Sequence, residues 1–511
     1  KSHVSLFITH TTAPPLATML PRFSRTLRIN RTQLLRCFST APKYVSTRGG
    51  MEEMGFGDAV LQGLASDRGL MVPTHIPQFP KGAPEMWRGL SFQDLAFEVM
   101  KHFIPDSEIA EKDLKDIIDR SYSKFRSPQI TPVTKLDESL SILELYHGPT
   151  FAFKDVALQF LGNLFEHLLA SRGIELMTVL GATSGDTGSS AIHGLRGKKG
   201  VECFILYPNG KTSPIQEMQM VTVLDENIHN IALQGNFDDA QNIVKALFSD
   251  PAFKKEYNLG AVNSINWARI LAQTVYYVYA YLQVTPEGSN EPVSFSVPTG
   301  NFGDILAGYY AKRMGLPVAD LVVATNENDI LDRFFKSGSY SRRECLETLS
   351  PSMDITISSN FERFLYHMSG DDSSKLQSMM NNFESTGELV GDQGLVDACK
   401  AEMKSAMVPD DEVLETIGEY HKRFGYVLDP HSAIGVAAAT KTGTDAKYMV
   451  SLACAHWGKF PAAVERAVGK EAMDDLVPPE QLAELDELSQ RKYVLENDKD
   501  VIKDFIVKKL A

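Results

Sequence analysis

The chain has 511 residues, 43% hydrophobic and 23% charged, the proportions of a water-soluble globular protein with room for two or three domains. A net charge of −14 argues against a nucleic-acid-binding body or an anionic membrane surface, and no uninterrupted apolar run reaches the roughly 18–20 residues of a transmembrane helix. The five cysteines (Cys37, Cys203, Cys345, Cys399, Cys454) are scattered without a Cys-x-x-Cys pair, and His-Glu-x-x-His and Walker-type loops are absent, so no disulfide framework and no metal site is expected.

Residues 1–42 differ in kind from the rest. They carry Lys1, Arg22, Arg25, Arg28, Arg31 and Arg36 and no acid, which leaves −20 for the remainder. From Met19 onward the segment has the Arg-, Ser- and Thr-rich character of a mitochondrial presequence, and Arg36-Cys37-Phe38-Ser39 resembles a cleavage site. A disordered basic tail or translated upstream sequence is the competing reading. A mitochondrial location is the expectation, with the cytoplasm as the alternative. Residues 43–135 read as a helical N-terminal domain: an amphipathic helix begins at Leu90–Ala96, and Leu114, Ile117, Ile118 and Tyr122 mark another.

From residue 136 to 365 the pattern alternates. Ile142–Tyr146 is a strand candidate, followed by His147-Gly148-Pro149-Thr150-Phe151-Ala152-Phe153-Lys154-Asp155 and a helix whose apolar spacing runs from Val156 to Leu169, with Gly173 as its stop. Leu176–Leu180, Val201–Tyr207, Ile231–Leu233, Val293–Val297 and Leu321–Ala324 read as further strands separated by helices. Such alternation implies a largely parallel sheet covered on both faces, with ligands at the carboxyl ends of strands. Residues 366–511 read as a C-terminal region completing the catalytic domain: 366–425 is more polar, order returns at Tyr426–His431 and Tyr448–Cys454, and the charged tail from Glu480 reads as terminal helices.

Three constellations carry chemistry. Lys154 stands at a helix mouth among aromatic and small apolar residues, where desolvation would lower its pKa and fit it as a base or Schiff-base nucleophile; a lysine snorkelling to water is the plain alternative. Two Gly-rich loops follow strands and open helices. Gly181–Gly188 offers backbone amides with the hydroxyls of Thr183, Ser184 and Thr187, or is an ordinary tight turn. Pro298–Asp304, with Gly300 and Gly303 three apart, offers a phosphate cradle, or a helix N-cap using Asn301 or Asp304. Asn263, Ser264, Asn266 and Arg269 cluster at one helix start, and Lys211 is a further loop cation; an anion clamp and simple capping with a surface arginine both fit. Two anion sites around one buried lysine suit a phosphorylated aldehyde cofactor and an acidic substrate.

In order along the chain, Leu145–Asp155, Gly181–Gly188, Asn263–Arg269, Gly300–Asp304, Ala324–Asp329 and Asp429-Pro430-His431 closely resemble the threonine synthase family in its fungal form, from about Tyr44 to the C-terminus. The resemblance implies an α/β fold of the pyridoxal-phosphate fold type II, with two parallel-sheet-containing domains and a helical N-terminal domain. It implies pyridoxal 5'-phosphate as cofactor, Lys154 as its Schiff-base lysine and Gly300, Asn301, Phe302 and Gly303 as its phosphate loop. It also implies a small-molecule substrate, O-phospho-L-homoserine, converted with water to L-threonine and phosphate by γ-elimination and β-addition. Ser184, Asp186, Thr187, Lys211, Asn263, Ser264, Asn266 and Arg269 are the expected substrate-binding residues. One departure stands out. Where the fungal family usually reads Ser-Thr-Ala-His-Pro-Ala-Lys-Phe and the threonine meets the pyridine nitrogen, this chain has Ala453-Cys454-Ala455-His456-Trp457-Gly458-Lys459-Phe460. Cys454 is therefore the expected partner of that nitrogen, and a thiol is the weaker hydrogen-bonding group. A lyase or dehydratase that releases a keto acid is the alternative reaction, and a non-catalytic paralogue is disfavoured by the intact Lys154 and phosphate loop.

Overall fold

A computed structural model describes residues 41–511; all but the last two residues of the basic segment lie outside the described residues. β1 (Tyr44–Ser46) and β2 (Met71–Pro73) pair antiparallel, with Tyr44 opposite Pro73. The helical reading of 43–135 omitted this strand pair, because three-residue strands are too short to show a period of two. The helices Phe92–Met100 and Glu111–Tyr122 lie where apolar spacing put them, the first capped by Ser91 Oγ, which accepts from Asp94 N–H at 3.0 Å. Tyr44, Phe56, Leu95 and Ile117 belong to the same apolar cluster as Leu161, Trp267 and Phe295. The N-terminal segment thus buries its apolar face on the main core.

The next strands are β3 (Val133–Lys135), β4 (Leu140–Glu144), β5 (Met177–Ala182), β6 (Val201–Pro208), β7 (Ile228–Gln234) and β8 (Leu259–Ala261). They are followed by β9 (Val293–Pro298), β10 (Val318–Thr325), β11 (Ser339–Ser341), β12 (Glu388–Val390), β13 (Lys404–Met407), β14 (Tyr448–Ala453) and β15 (Tyr493–Glu496). Two sheets carry the site. One has the order β13-β10-β9-β14-β4-β3, parallel except for the β3–β4 hairpin; the other is the all-parallel β15-β7-β6-β5-β8. Strands buried at every position, such as Val293–Pro298, are what helices on both faces of a sheet produce.

The helix Lys154–Ser171 lies directly on the helix Asp186–Leu195, and glycine permits the contact. A Cβ at Gly162 would stand 2.0 Å from the Gly194 carbonyl oxygen, and one at Gly194 would stand 2.4 Å from that of Leu158. The two motif-bearing helices are held backbone to backbone. The C-terminal region divides between the sheets: β13 forms one edge of the first and β14 lies within it between β9 and β4, while β15 lies parallel beside β7 at the edge of the second. The tail, read as helical throughout, therefore includes an edge strand of four residues. Ile502 and Ile506 of the helix Lys499–Leu510 seal the same sheet. Among the described residues no helix is long and apolar enough to cross a membrane.

Candidate active site

The carboxyl ends of β5, β8, β9 and β14 surround one cavity of about 920 Å³. Lys154 lines it. The preceding turn is locked from within: Asp155, fully buried, accepts from Thr150 N–H at 2.7 Å and from Thr150 Oγ–H at 2.8 Å. Phe151 takes a positive φ of 56°, which buries its ring under the Arg126 guanidinium, 3.6 Å from the ring centroid. Gly148 is required here, since a Cβ would lie 2.4 Å from Asp155 Cβ. Gly148→Ala is expected to cost roughly 1–3 kcal/mol through overpacking, read from urea unfolding, and to weaken cofactor retention because the turn aims Lys154.

Lys154 forms no ion pair among the described residues. Burial lowers its pKa, and the nearby charges of Arg269 and Lys459 lower it further against the opposing pull of Asp186. It is an amine biased toward the neutral, nucleophilic form.

On the facing wall, Phe302 adopts φ 61° at the start of the helix Gly303–Arg313, with its ring packed on Phe361 and Phe364. The N–H groups of Gly300, Asn301, Phe302 and Gly303 find no acceptor among the described residues. Gly300 has no room for a side chain, because a Cβ would stand 3.2 Å from Met353 Cα and 3.3 Å from the Ser352 carbonyl oxygen. Free amides at a helix N-terminus form a phosphate cradle. The capping alternative for this loop fails: no side chain caps the helix, Asn301 Oδ1 accepts from Ser359 Oγ–H at 3.0 Å, and Asp304 points to Tyr276 and Tyr277.

Ser184, Thr187, Asn263, Ser264 and Arg269 also line the cavity. Arg269 is 3% exposed and donates to the Asn263 carbonyl at 2.6 Å; among the described residues it has no carboxylate partner and its Nε is unpaired. Burial pushes its pKa down to about 10, yet it remains a cation at neutral pH and suits an anionic ligand. Asp186 is held differently. It receives Lys459 Nζ at 2.7 Å and Gln216 Nε2 at 2.8 Å on Oδ1, and Ser352 Oγ–H at 3.0 Å on Oδ2. Burial raises its pKa, but the charges of Lys459 and Lys154 outweigh that and keep it well below the usual carboxylate range. Asp186 is thus a fixed anion that positions its loop.

Two expected substrate residues lie elsewhere. Lys211 is exposed in the loop after β6 and does not line the cavity. Asn266, 1% exposed, caps the helix Trp267–Val284 by accepting from Ala268 N–H at 3.0 Å, and donates to the Val60 carbonyl at 2.8 Å. It is a structural cap that ties down the N-terminal segment. Sequence reasoning missed Ser352, Met353, Asp354 and Ser359, which reach the cavity from the single 3-10 turn Pro351–Met353 and the irregular segment after it, too short for a periodic signal. It also gave no role to Lys459 or to His431; the latter accepts from Ser352 N–H at 3.2 Å and is oriented by Asp429 at 2.7 Å. Cys454 lines the cavity beside Lys154, and burial keeps its thiol protonated.

A neutral-leaning lysine facing a cradle of free amides, at the strand ends of a parallel sheet, fits pyridoxal 5'-phosphate. Lys154 would bond its aldehyde, and Gly300–Gly303 would hold its phosphate. The fold and site define a pyridoxal-phosphate-dependent enzyme of fold type II, and the family model "Pyridoxal-phosphate dependent enzyme" matches residues 125–454. Models described as "Threonine synthase N terminus" and "Threonine synthase, C-terminal" match residues 43–122 and 432–506, and the chain belongs to the threonine synthase family. The threonine synthase of Schizosaccharomyces pombe is 49% identical over 84% of this chain and 90% of its own length. That of Saccharomyces cerevisiae is 47% identical over 92% and 98%. The solved structure of pyridoxal-phosphate-bound threonine synthase from Brucella melitensis superposes with a TM-score of 0.88 at 42% identity, covering 92% of this chain and 99% of that one.

Proposed function

We propose that the protein converts O-phospho-L-homoserine and water to L-threonine and inorganic phosphate. The observation that carries this reading is the placing of unpartnered anion-binding groups around Lys154 in one cavity: the free amides of Gly300–Gly303 on one side, Arg269 with Ser184 and Thr187 beyond. One set suffices for the cofactor phosphate. The other offers a guanidinium and hydroxyls to a substrate with its own phosphate and carboxylate.

When bound, pyridoxal phosphate delocalises the electron pair left on a substrate carbon that loses a proton. Lys154 Nζ would take the proton from the substrate Cα and then from Cβ and return protons as the reaction closes. Arg269 holds an anionic group of the substrate, and the Ser184 and Thr187 hydroxyls donate to the leaving phosphate. The Asp186–Lys459 pair keeps the first loop in place. Its internal neutralisation also leaves the cavity receptive to an anion.

Running the reaction in H₂¹⁸O tests this sequence of bond changes. Cleavage of the Cγ–O bond followed by hydration places ¹⁸O in the threonine hydroxyl and none in the released phosphate. Label in the phosphate, with homoserine as product, would show a phosphatase instead.

A further inference from the structure

Lys154 shares its cavity with a carboxylate, Asp186, and among the described residues the two form no ion pair. Burial lowers the Lys154 pKa; of the charged groups facing it, Asp186 raises that value, Arg269 and Lys459 lower it, and Cys454 raises it. Asp186 is thus the acid placed to capture the lysine, and its donors explain why it does not. Oδ1 takes Lys459 Nζ and Gln216 Nε2, whereas the one donor to Oδ2 among the described residues is Ser352 Oγ–H, at 3.0 Å. Ser352, in the 3-10 turn Pro351–Met353, is held in turn. Its N–H donates to His431 Nε2 at 3.2 Å, and Asp429, 1% exposed, faces His431 Nδ1 at 2.7 Å. A backbone N–H can only donate, so Nε2 is the bare nitrogen and Nδ1 carries its proton toward Asp429. The N–H groups of His431 and Ser432 fix Asp429 at 3.0 and 3.1 Å, and the imidazole packs on Phe460, with ring centroids 4.9 Å apart. A buried chain from Asp429 through His431 and Ser352 therefore ends on Asp186 Oδ2.

We propose that Ser352 and His431 are positioning residues for the reaction: they keep Asp186 Oδ2 engaged, so that Lys154 Nζ stays unpaired and free to act on the cofactor aldehyde and on substrate protons. The proposal rests on Lys154 being the reactive amine. The physical step is a competition between donors. A buried carboxylate oxygen without a donor carries a large desolvation penalty. If Ser352 lets go, Lys459 and Gln216 remain committed to Oδ1. Lys154 is then the cation that can relieve Oδ2. Burial raises the Asp186 pKa, and the charges that lower it come first from Lys459 and next from Lys154. Pairing would hold Lys154 as an ammonium, which neither adds to an aldehyde nor takes a proton. Neither Ser352 nor His431 needs to touch the reacting atoms for this.

The test is the pH dependence of Lys154 acylation in the cofactor-free full-length chain, using trace acetic anhydride and quantifying the Lys154 peptide by mass spectrometry. In the wild type the midpoint is expected below that of the exposed lysines in the same digest. Ser352→Ala removes the donor to Oδ2, and its midpoint is expected about 1–3 pH units higher, the effect of an opposite charge at pairing distance. His431→Leu, which releases the Ser352 turn, is expected to shift the same way. Ser352→Thr keeps the hydroxyl donor and His431→Gln keeps an acceptor at the Nε2 position, so both are expected to react as the wild type does. A wild-type midpoint in Ser352→Ala, or equal shifts in Ser352→Ala and Ser352→Thr, would overturn the proposal. A shift in Ser352→Ala without one in folded His431→Leu would overturn the part given to His431. Should His431→Leu not fold, the two Ser352 variants still decide. A wild-type Lys154 that titrates with the exposed lysines would instead remove the reading of it as the reactive amine.

Discussion

Lys154→Ala protein is expected to show no absorbance band of lysine-bound pyridoxal phosphate and to lose turnover by a factor on the order of 10²–10⁴, the usual contribution of a positioned acid–base group. The expectation follows from the surroundings of Nζ. Among the described residues no acid pairs with it, burial and the charges of Arg269 and Lys459 bias it toward the neutral amine, and the Asp155-locked turn fixes its direction. The phosphate cradle is untouched by the substitution, so the variant would still bind the cofactor, but reversibly. Borohydride would then fix cofactor to the wild type and not to the variant. A variant with an unchanged spectrum would show that another amine holds the aldehyde.

Lys459→Met is expected to destabilise the apoprotein by about 3–5 kcal/mol, the cost of leaving a buried charge without its partner. Lys459 is 1% exposed; its Nζ meets Asp186 Oδ1 at 2.7 Å and the Thr150 carbonyl at 2.8 Å. The pH dependence gives the sign. In the wild type the Asp186 pKa lies below its ordinary 3.8, so its contribution is present above that value and is lost as pH falls. Without Lys459, burial dominates and moves the pKa upward, so the variant loses stability as pH rises above about 4. The gap between the two proteins in urea unfolding is therefore widest at neutral pH and narrows in acid. The double variant Asp186→Asn/Lys459→Met is expected to be more stable than Lys459→Met alone, since it carries no orphaned carboxylate.

What could be read from the sequence and what could not divide along physical lines. The helix after Lys154 was legible because its apolar residues recur at helical spacing, and it ends at Ser171 with Gly173 at φ 64°. The phosphate loop was legible because closely spaced glycines between a strand and a helix have few structural uses. Strands of three or four residues, β1, β2 and β15, were not, because periodicity cannot register at that length. Asn266 and Lys211 illustrate a second limit. Residue type gives chemistry but not direction, and Asn266 spends both ends of its amide on a cap and on Val60. The contributions of Ser352 and Ser359 depend on contacts more than a hundred and about sixty residues away, to Asp186 and Asn301. Asp304 was visible only as a possible cap, because its tyrosine partners lie on another helix.

The most direct test of the central claim is product analysis. Purified holoprotein is incubated with O-phospho-L-homoserine, and amino acids, keto acids and phosphate are quantified together. Threonine and phosphate in equal amounts, with keto acid at background, is the expected result. Keto acid with phosphate and no threonine would contradict it and make the chain a lyase that stops after elimination, with the thiol of Cys454 the first residue to exchange for threonine.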